Sequence, residues 1–353
     1  MSELSFPQLI LAWYAQNKRE LPWRNISDPY KIWVSEIILQ QTQIVQGHDY
    51  YLRFLSTFPT IESLANASED EVLRVWQGLG YYSRARNMHK AAKQIMEEGG
   101  VFPQHYDNVR ALKGVGDYTA AAICSFAYNM PYAVVDGNVY RVLSRYYGIS
   151  VPIDTTQGKK HFAAFAQHIL PKQQYADYNQ GLMDFGATQC VPSNPNCAQC
   201  ILNDTCVAAN EHNVGGYPVK SRKTAQRQRF FVYVKVVTPT GTWLHRRSKK
   251  DIWKGLYEYL LLEFDHKPDI NEIQQADDIK SIKSKGAWSI LHAEIKHVLT
   301  HQIIYASLYS IKFDVPVHFD GTGWTLVENS KLAQYAMPQL IYKLDKFEVK
   351  LNY

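Results

Sequence analysis

Leu112-Lys113-Gly114-Val115-Gly116-Asp117-Tyr118-Thr119-Ala120 is the stretch on which the reading of the first part of the chain turns. Two glycines one residue apart let the backbone turn tightly and approach an anion. The Ala-rich run behind them starts a helix whose unpaired N–H groups can point at a phosphate oxygen. Gly114, Val115 and Gly116 are therefore candidate contacts to a phosphate. Taken alone, Gly-x-Gly before a helix fits a plain helix–helix turn equally well. Further along, Val134-Val135-Asp136-Gly137-Asn138-Val139 sets an acidic residue directly behind an apolar run, where an isolated Asp-Gly would read as a surface turn.

Outward from the hairpin, residues 1–209 read as a succession of helices, with apolar side chains spaced three and four apart and short Gly, Pro or Asp breaks. Helical patterns run over 30–46, 70–77, 83–98, 119–128 and 159–170. Residues 210–229 are polar, and their second half carries Lys220, Arg222, Lys223, Arg227 and Arg229 without an acidic residue, which suggests a linker. From Phe230 the pattern changes to β-branched and aromatic runs over 231–237, 242–245, 257–264 and 303–313, with helices expected over 269–276 and 331–342. The expected organisation is a multi-domain chain. An all-α domain over 1–209 precedes a linker over 210–229 and an α+β domain over 230–353.

Composition limits the function classes. A chain of 353 residues, at roughly 150 per domain, has room for about two cores. With 46% hydrophobic and 20% charged residues it is neither disordered nor collagen-like. Apolar stretches such as 120–124 are far too short to span a bilayer, and residues 1–6 lack the basic and apolar regions of a signal peptide, so no membrane partner and a cytoplasmic location are expected. The net charge of +5 permits a polyanionic partner without requiring one.

Four of the five cysteines crowd into Cys190-x6-Cys197-x2-Cys200-x5-Cys206, whereas Cys124 stands alone. Disulfide frameworks are seldom so lopsided, and four thiolates in one loop-rich span can converge on a metal centre in a reducing compartment. Ligand chemistry alone suits both zinc and an iron–sulfur cluster.

Several motifs together carry a family resemblance. The cysteine spacing resembles the [4Fe-4S] loop, here 190–206, of the endonuclease III superfamily of helix-hairpin-helix DNA glycosylases, and Asp136 stands where those enzymes place their catalytic aspartate. Leu21-Pro22-Trp23-Arg24, Asp28-Pro29-Tyr30 through Glu36, Leu39-Gln40-Gln41-Thr42-Gln43, Gly78-Leu79-Gly80-Tyr81-Tyr82, Asn179-Gln180, Asp184-Phe185-Gly186-Ala187 and Trp253-Lys254-Gly255-Leu256-Tyr257-Glu258 are similar to the signature of the adenine DNA glycosylases, the MutY family. The resemblance is dense over 21–206 and sparse after Glu258.

This resemblance implies a monofunctional enzyme that removes adenine mispaired with 8-oxoguanine or guanine from double-stranded DNA, acts as a monomer, and in a bacterium is associated with the nucleoid. It assigns Glu36 to protonation of the base and Asp136 to stabilisation of the sugar cation, with Tyr118 and Asn138 supporting Asp136 or the cation. Two carboxyl groups kept in different protonation states are a general solution for breaking a bond to an anomeric carbon. Glu36 has Ile32, Trp33, Ile37 and Ile38 as neighbours, surroundings that disfavour its ionised form. Trp23, Arg24 and Gln180 are assigned to the pocket of the extruded adenine, and Gln41, Thr42, Leu79 and Tyr82 to wedging into the duplex and reading the opposite base.

Tyr118 occupies the position of the Schiff-base lysine of the bifunctional relatives, and a phenol forms no imine. That residue argues against an endonuclease III-like glycosylase/lyase for oxidised pyrimidines. A non-catalytic DNA-binding iron–sulfur module would have no use for Glu36 and Asp136 together. The second domain resembles the Nudix-like lesion-recognition domain of the family. The usual Gly-x5-Glu-x7-Arg-Glu-x2-Glu-Glu box is missing after Gly255, where Leu261 takes a glutamate's place, so a magnesium-dependent hydrolysis is not expected there. The family's Phe-Ser-His loop reads Leu299-Thr300-His301, which makes Thr300 and His301 the candidate lesion contacts.

Overall fold

The computed structural model describes residues 4–221, 226–280, 282, 286–319 and 322–345. Contacts divide the chain into two units, Met1–Asn66 with Asn87–Lys223, and Ala67–Arg86 with Thr224–Tyr353. A first domain running unbroken to residue 209 is therefore not the grouping that contacts give. Arg246 ion-pairs with Glu69 (3.3 Å) and Asp70 (2.9 Å), and the Tyr257 hydroxyl donates to Asp70 (3.3 Å), which ties 67–86 to the C-terminal residues. Part of the basic run expected in the linker, 222–225, lies outside the described residues.

The first unit is helical among its described residues. Helix Pro29–Leu39 begins where Asp28 accepts hydrogen bonds from the N–H groups of Tyr30 and Lys31, with Pro29 at a position that needs no donor. Tyr30, Ile32, Trp33, Val34, Ile37 and Ile38 are all buried, so this helix is apolar nearly all round, as a central helix must be. It packs against helices Ile44–Thr57 and Asp117–Tyr128. The single helix expected over 30–46 is two, because the chain breaks at Gln40–Gln43 with Gln41 at a φ of 59°. That break turns Gln41 and Thr42 out of the helical register.

Helix Asp117–Tyr128 follows the hairpin, in which Gly114 has a φ of +82° and the Val115 N–H donates to Leu112 O (3.0 Å). Asp136 caps helix Gly137–Tyr147 by accepting from the Val139 N–H. Helix Tyr175–Thr188 crosses close to two neighbours. A side chain at Gly181 would meet Tyr14 Cβ of helix Phe6–Asn17 at 2.9 Å, and one at Gly186 would meet Asn138 Cβ at 2.7 Å. A core of Phe6, Ile10, Val139, Val142, Leu143, Phe162, Tyr178, Leu182 and Phe185 joins these helices.

The C-terminal part of the second unit is built on a seven-stranded mixed sheet of β1 (Arg227–Thr238), β2 (Gly241–Arg246), β3 (Tyr257–Glu258), β4 (Leu260–Phe264), β5 (Ala287–Val298), β6 (Gln302–Lys312) and β7 (Trp324–Val327). The main path is β3-β2-β1-β6-β5, with β4 beside β1 and β7 beside β2, and only the β1–β6 pair is parallel. Strand alternation sorts β1 between two cores. Phe231 and Tyr233 pack with Leu340, Ile341 and Leu344 of helix Gln339–Asp345, whereas Val232, Val234 and Val236 pack with Ile273 and Ile279.

The helix expected over 331–342 is instead a 3-10 turn, Asn329–Gln334, followed by helix Gln339–Asp345. Pro338 has no N–H and is excluded from a helix interior. Strands β5 and β7 were absent from the sequence-based expectation. The side chains of β5 are mostly exposed, so it shows no apolar alternation. No helix among the described residues is long and apolar enough to cross a membrane.

The closeness of Gly186 to Asn138 gives a test of the helix crossing. Gly186→Ala should destabilise the protein by about 1–3 kcal/mol, since the new methyl group would press on backbone as well as on Asn138 Cβ. Urea denaturation followed by circular dichroism reads the change, and a loss below about 0.5 kcal/mol would show that the helices can separate freely.

Candidate active site

The first unit holds a cavity of about 390 Å³ lined by Trp23, Arg24, Glu36, Gln41, Thr42, Tyr118, Asp136, Asn138 and Gln180, nine residues that sequence reasoning had singled out. They come from segments far apart in the chain. Helix Pro29–Leu39 supplies Glu36, the helix after the hairpin supplies Tyr118, the start of Gly137–Tyr147 supplies Asp136 and Asn138, and Tyr175–Thr188 supplies Gln180. The volume falls in the range of small-molecule pockets.

The two carboxyl groups sit in unlike surroundings. Burial pushes Glu36 up to about 7, against a hydrogen bond from the Tyr118 hydroxyl (2.9 Å) and the charge of Arg24, both of which favour the carboxylate, while the charge of Asp136 opposes it. Asp136 is also raised by burial, yet both its oxygens are served, Oδ1 by the Val139 N–H and Oδ2 by Asn138 Nδ2, each at 2.8 Å. It stands at a helix N-terminus, where the helix dipole favours an anion, and Arg141 acts in the same direction. Near neutral pH one group is thus poised between its forms, while the other has donors set for a carboxylate.

Of the two partners expected of Tyr118, Asp136 and the sugar cation, the first is not the one it bonds. Its hydroxyl donates to Glu36 and not to Asp136, and burial with two carboxyl neighbours raises its pKa far enough to keep the phenol protonated. Asn138 does engage Asp136 and is held in turn by Arg141, whose Nη2 donates to Asn138 Oδ1 (2.9 Å) and to Gly186 O (2.6 Å). Trp23 is buried, with its ring edge-on to Tyr51 at 5.2 Å between centroids. Gln180 accepts from the Tyr14 hydroxyl at 2.9 Å.

Ser35 and Gln40, which the sequence marks only as parts of signature motifs, and Arg19, which it does not mark, also line the cavity. Asp184 was noticed only as part of a motif, and it is fully buried in ion pairs with Arg19 and Arg24. Arg19 lies in the unpatterned run Lys18-Arg19-Glu20, so only the fold reveals its position.

Leu79, Tyr82, Thr300 and His301 belong to the second unit. Tyr82 does not offer its ring to a ligand, a correction to the sequence reading. It is 4% exposed, and its hydroxyl accepts from the Gly78 N–H (3.2 Å). Gly78 and Gly80, both at positive φ, turn the chain so that the neighbouring Tyr81 points outward with 49% exposure. Leu79 is buried as well. Thr300 and His301 form the exposed turn between β5 and β6, and the hydroxyls of Tyr81 and Thr300 lie 2.6 Å apart. Glu258 is spent on an ion pair with Arg247 (2.6 Å).

Cys190, Cys197, Cys200 and Cys206 line one enclosed space beside Arg145. The Leu202 N–H points at Cys200 Sγ and Arg145 Nη1 at Cys190 Sγ, both at 3.4 Å, which are donors suited to thiolate sulfur. Among the described residues no three His, Cys, Asp or Glu side chains converge as they would on a single ion. In the hairpin, the Val115 N–H is already used within the turn, so this member of the expected phosphate set is not a free donor.

The chain is similar to known proteins over most of its length. Residues 34–169 match the model of the HhH-GPD superfamily base excision DNA repair proteins, and 232–346 match a NUDIX domain. An adenine DNA glycosylase of Buchnera aphidicola from Acyrthosiphon pisum is 38% identical over 73% of this chain and 74% of its own length. A second, from the Baizongia pistaciae strain, is 34% identical over 98% of this chain and 99% of its own. The human adenine DNA glycosylase is 40% identical over 58% of this chain and 39% of its own length. Among solved structures, a thermostable thymine-DNA glycosylase aligns with a TM-score of 0.55 at 30% identity, over 58% of this chain and 95% of that one. A DNA-trapped endonuclease III aligns at 0.51 and 22% identity, over 57% and 93%, which speaks for the fold alone.

The hydrogen bond between Tyr118 and Glu36 yields a prediction about charge. Tyr118→Phe removes a donor that favours the carboxylate, so the Glu36 pKa should rise by roughly one pH unit above its wild-type value. Carboxyl-selective carbon NMR titration of the free protein measures it, and an unchanged or lower value would show that the phenol does not act on Glu36.

Proposed function

The chain belongs to the adenine DNA glycosylase family, and from that premise we propose that it hydrolyses the glycosidic bond of an adenine extruded from duplex DNA opposite 8-oxoguanine or guanine, leaving an abasic site. The observation that carries the proposal is the pair formed by Glu36 and Asp136, two carboxyl groups on one cavity with different hydrogen-bond provision. A base taken out of the stack needs a pocket of this kind, with an aromatic wall at Trp23 and polar groups at Arg24 and Gln180.

In this mechanism protonated Glu36 gives its proton to N7 of adenine as the bond from the sugar carbon to N9 breaks and the bonding pair leaves with the base. Asp136, kept anionic by Val139 and Asn138, offsets the positive charge that develops on the sugar. Water then adds to the sugar carbon and yields a proton to the Glu36 carboxylate, which restores the acid. Tyr118 holds Glu36 in place and has no amine with which to trap the sugar, so the product is an abasic site and not a cut strand.

Adenine is an ordinary base, so selection must come from the base opposite. The exposed hairpin turn with Thr300 and His301, beside Tyr81, is our candidate for reading 8-oxoguanine, and Gln41 and Thr42 contribute from the first unit. Gly114 and Gly116 of the turn, with the helix start behind them, are the proposed phosphate grip, since the Val115 N–H is used within the turn. The four cysteines share one space with N–H donors on sulfur, a setting that suits the thiolates of a [4Fe-4S] cluster. Such a cluster would supply a structural staple for the loop, with no role in the proton transfers.

Glu36→Gln and Asp136→Asn should each lower single-turnover excision by about a hundredfold or more while leaving binding to the mismatched duplex in place. Excision within a few-fold of wild type for either would remove it from the mechanism. The double substitution Thr300→Ala with His301→Ala should reduce the preference for 8-oxoguanine over guanine by roughly tenfold, read as a ratio of single-turnover rates, and an intact ratio would sink the lesion-reading role. Purified protein should be yellow-brown and contain iron with acid-labile sulfide. Colourless, fully active protein with stoichiometric zinc would overturn the cluster assignment.

A further inference from the structure

Asp184 is the one fully buried carboxylate next to the cavity for which the mechanism has no use. It does not line the cavity itself. Arg19 and Arg24 do, and both reach back to the same oxygen, Asp184 Oδ1, through their Nη2 atoms, at 2.5 and 2.9 Å. The Arg19 backbone N–H adds a bond to Oδ2 at 3.4 Å. The Nε–H groups of the two arginines are also buried, and neither finds an acceptor within the protein. Two guanidinium groups are thus anchored by one end, with a donor apiece left over at a cavity wall.

We propose that Asp184 is a positioning residue for the excision reaction, one that clamps Arg19 and Arg24 so that their spare donors face the extruded nucleotide and that balances their charge near Glu36. This rests on the function proposed above. Taking the mechanism's starting state, Arg19 and Arg24 contribute two positive charges, Asp184 and Asp136 two negative ones, and protonated Glu36 none. The set of groups around Glu36 is therefore neutral when the acid is loaded, with Arg141 acting on Asp136 from outside it. Proton transfer then separates charge within it without leaving a net excess, and the cationic sugar forms in surroundings that do not repel it.

The groups that face Glu36 are Tyr118 from the helix after the hairpin, Asp136 from the following helix cap and Arg24 from the loop before Pro29. Behind Arg24 stand Asp184, Arg19 and the phenol of Tyr14, which feels Arg24, Asp184 and Arg19. Loss of the Asp184 charge would leave the arginines uncompensated. Excess positive charge favours the Glu36 carboxylate, so less of the acid would be protonated at a given pH, and the sugar cation would be opposed as well. Loss of Arg19 would act in the opposite sense, because Asp184 would then answer Arg24 alone.

The test is the pH profile of single-turnover adenine excision, from about pH 5.5 to 9, on a duplex with adenine opposite 8-oxoguanine. Wild type should lose rate as pH rises through the Glu36 value of about 7, because the acid must be protonated to act. Asp184→Asn keeps the shape and an acceptor oxygen. Its falling limb should move down by about one pH unit, which by itself lowers the rate at pH 7.5 about eightfold. Arg19→Gln, at a partly exposed side chain, should move the limb upward.

A purely structural role for Asp184 would lower the active fraction at every pH and leave the limb where it is, and that result would overturn the proposal. If Asp184→Asn does not fold, Arg19→Gln decides alone, and an unmoved limb in that variant has the same force. Failure of the underlying reading looks different: wild type would then show no alkaline limb, or Glu36→Gln would excise normally.

Discussion

Ionising a carboxyl group inside an apolar helix is unfavourable unless donors replace the water it has lost, and the first unit is arranged around that constraint at Glu36. Helix Pro29–Leu39 buries apolar side chains nearly all round, and among the described residues Tyr118 is the one side chain hydrogen-bonded to Glu36 that helps it carry a charge. The consequence is an acid poised near neutrality. Everything else at the cavity can be understood by how much charge it offers that group. Asp136 faces the same cavity with a backbone N–H, an amide and a helix N-terminus on its side, and so is far better provided to remain an anion. The difference arises from backbone architecture as much as from side-chain choice, because a cap position supplies donors that a mid-helix position cannot.

The same architecture explains how remote segments are held to the distances that proton transfer requires. Gly186 lets helix Tyr175–Thr188 rest on Asn138, and Gly181 lets it rest on Tyr14. Arg141 then links Asn138 to Gly186 O and Cys190 O, so the support of Asp136 continues toward the cysteine loop. Arg145, one helical turn further on, donates to Val191 O, Pro192 O and Cys190 Sγ. A loop with little regular structure is thereby fixed by two arginines from the helix that Asp136 caps. The cysteine loop is thus connected to Asp136 through side chains in contact.

Much of this was legible in the sequence, for reasons particular to each residue. The hairpin and Asp136 could be found because glycine spacing and an acid behind an apolar run are local patterns. Glu36 was singled out by the family resemblance of its motif, and its apolar neighbours in the chain then suggested its burial. Tyr118's partner was not legible, since Glu36 and Asp136 are both distant in sequence and only packing chooses between them. The choice between Tyr81 and Tyr82 hung on the sense of a turn, and two positive-φ glycines set which ring faces outward. Arg19 carried no pattern at all, and strand β5, with its exposed side chains, lacked the alternation by which strands are recognised. The break at Gln40–Gln43 was hidden because these four polar residues include no Gly or Pro and can be taken for the exposed side of a continuing helix, although the backbone there leaves it.

The second unit shows how a sheet can keep its framework while its charged groups serve a different end. Arg229 is bound to Asp251 and Glu263, and Arg247 to Asp251 and Glu258, a chain of ion pairs in which both arginines are almost wholly buried. Breaking such a network by removing one member leaves an uncompensated buried charge, so its members are constrained together. Glu258 lies in the motif Trp253 to Glu258 and, bonded to Arg247, has little freedom left to bind a cation. What the unit presents outward is the β5–β6 turn, where Thr300 and His301 are exposed on a hairpin whose strands are joined to the rest of the sheet through β6 and β1. A rigid support with a short polar tip suits the reading of a base edge, because hydrogen bonds discriminate between bases only when donor and acceptor are held to a fraction of an ångström.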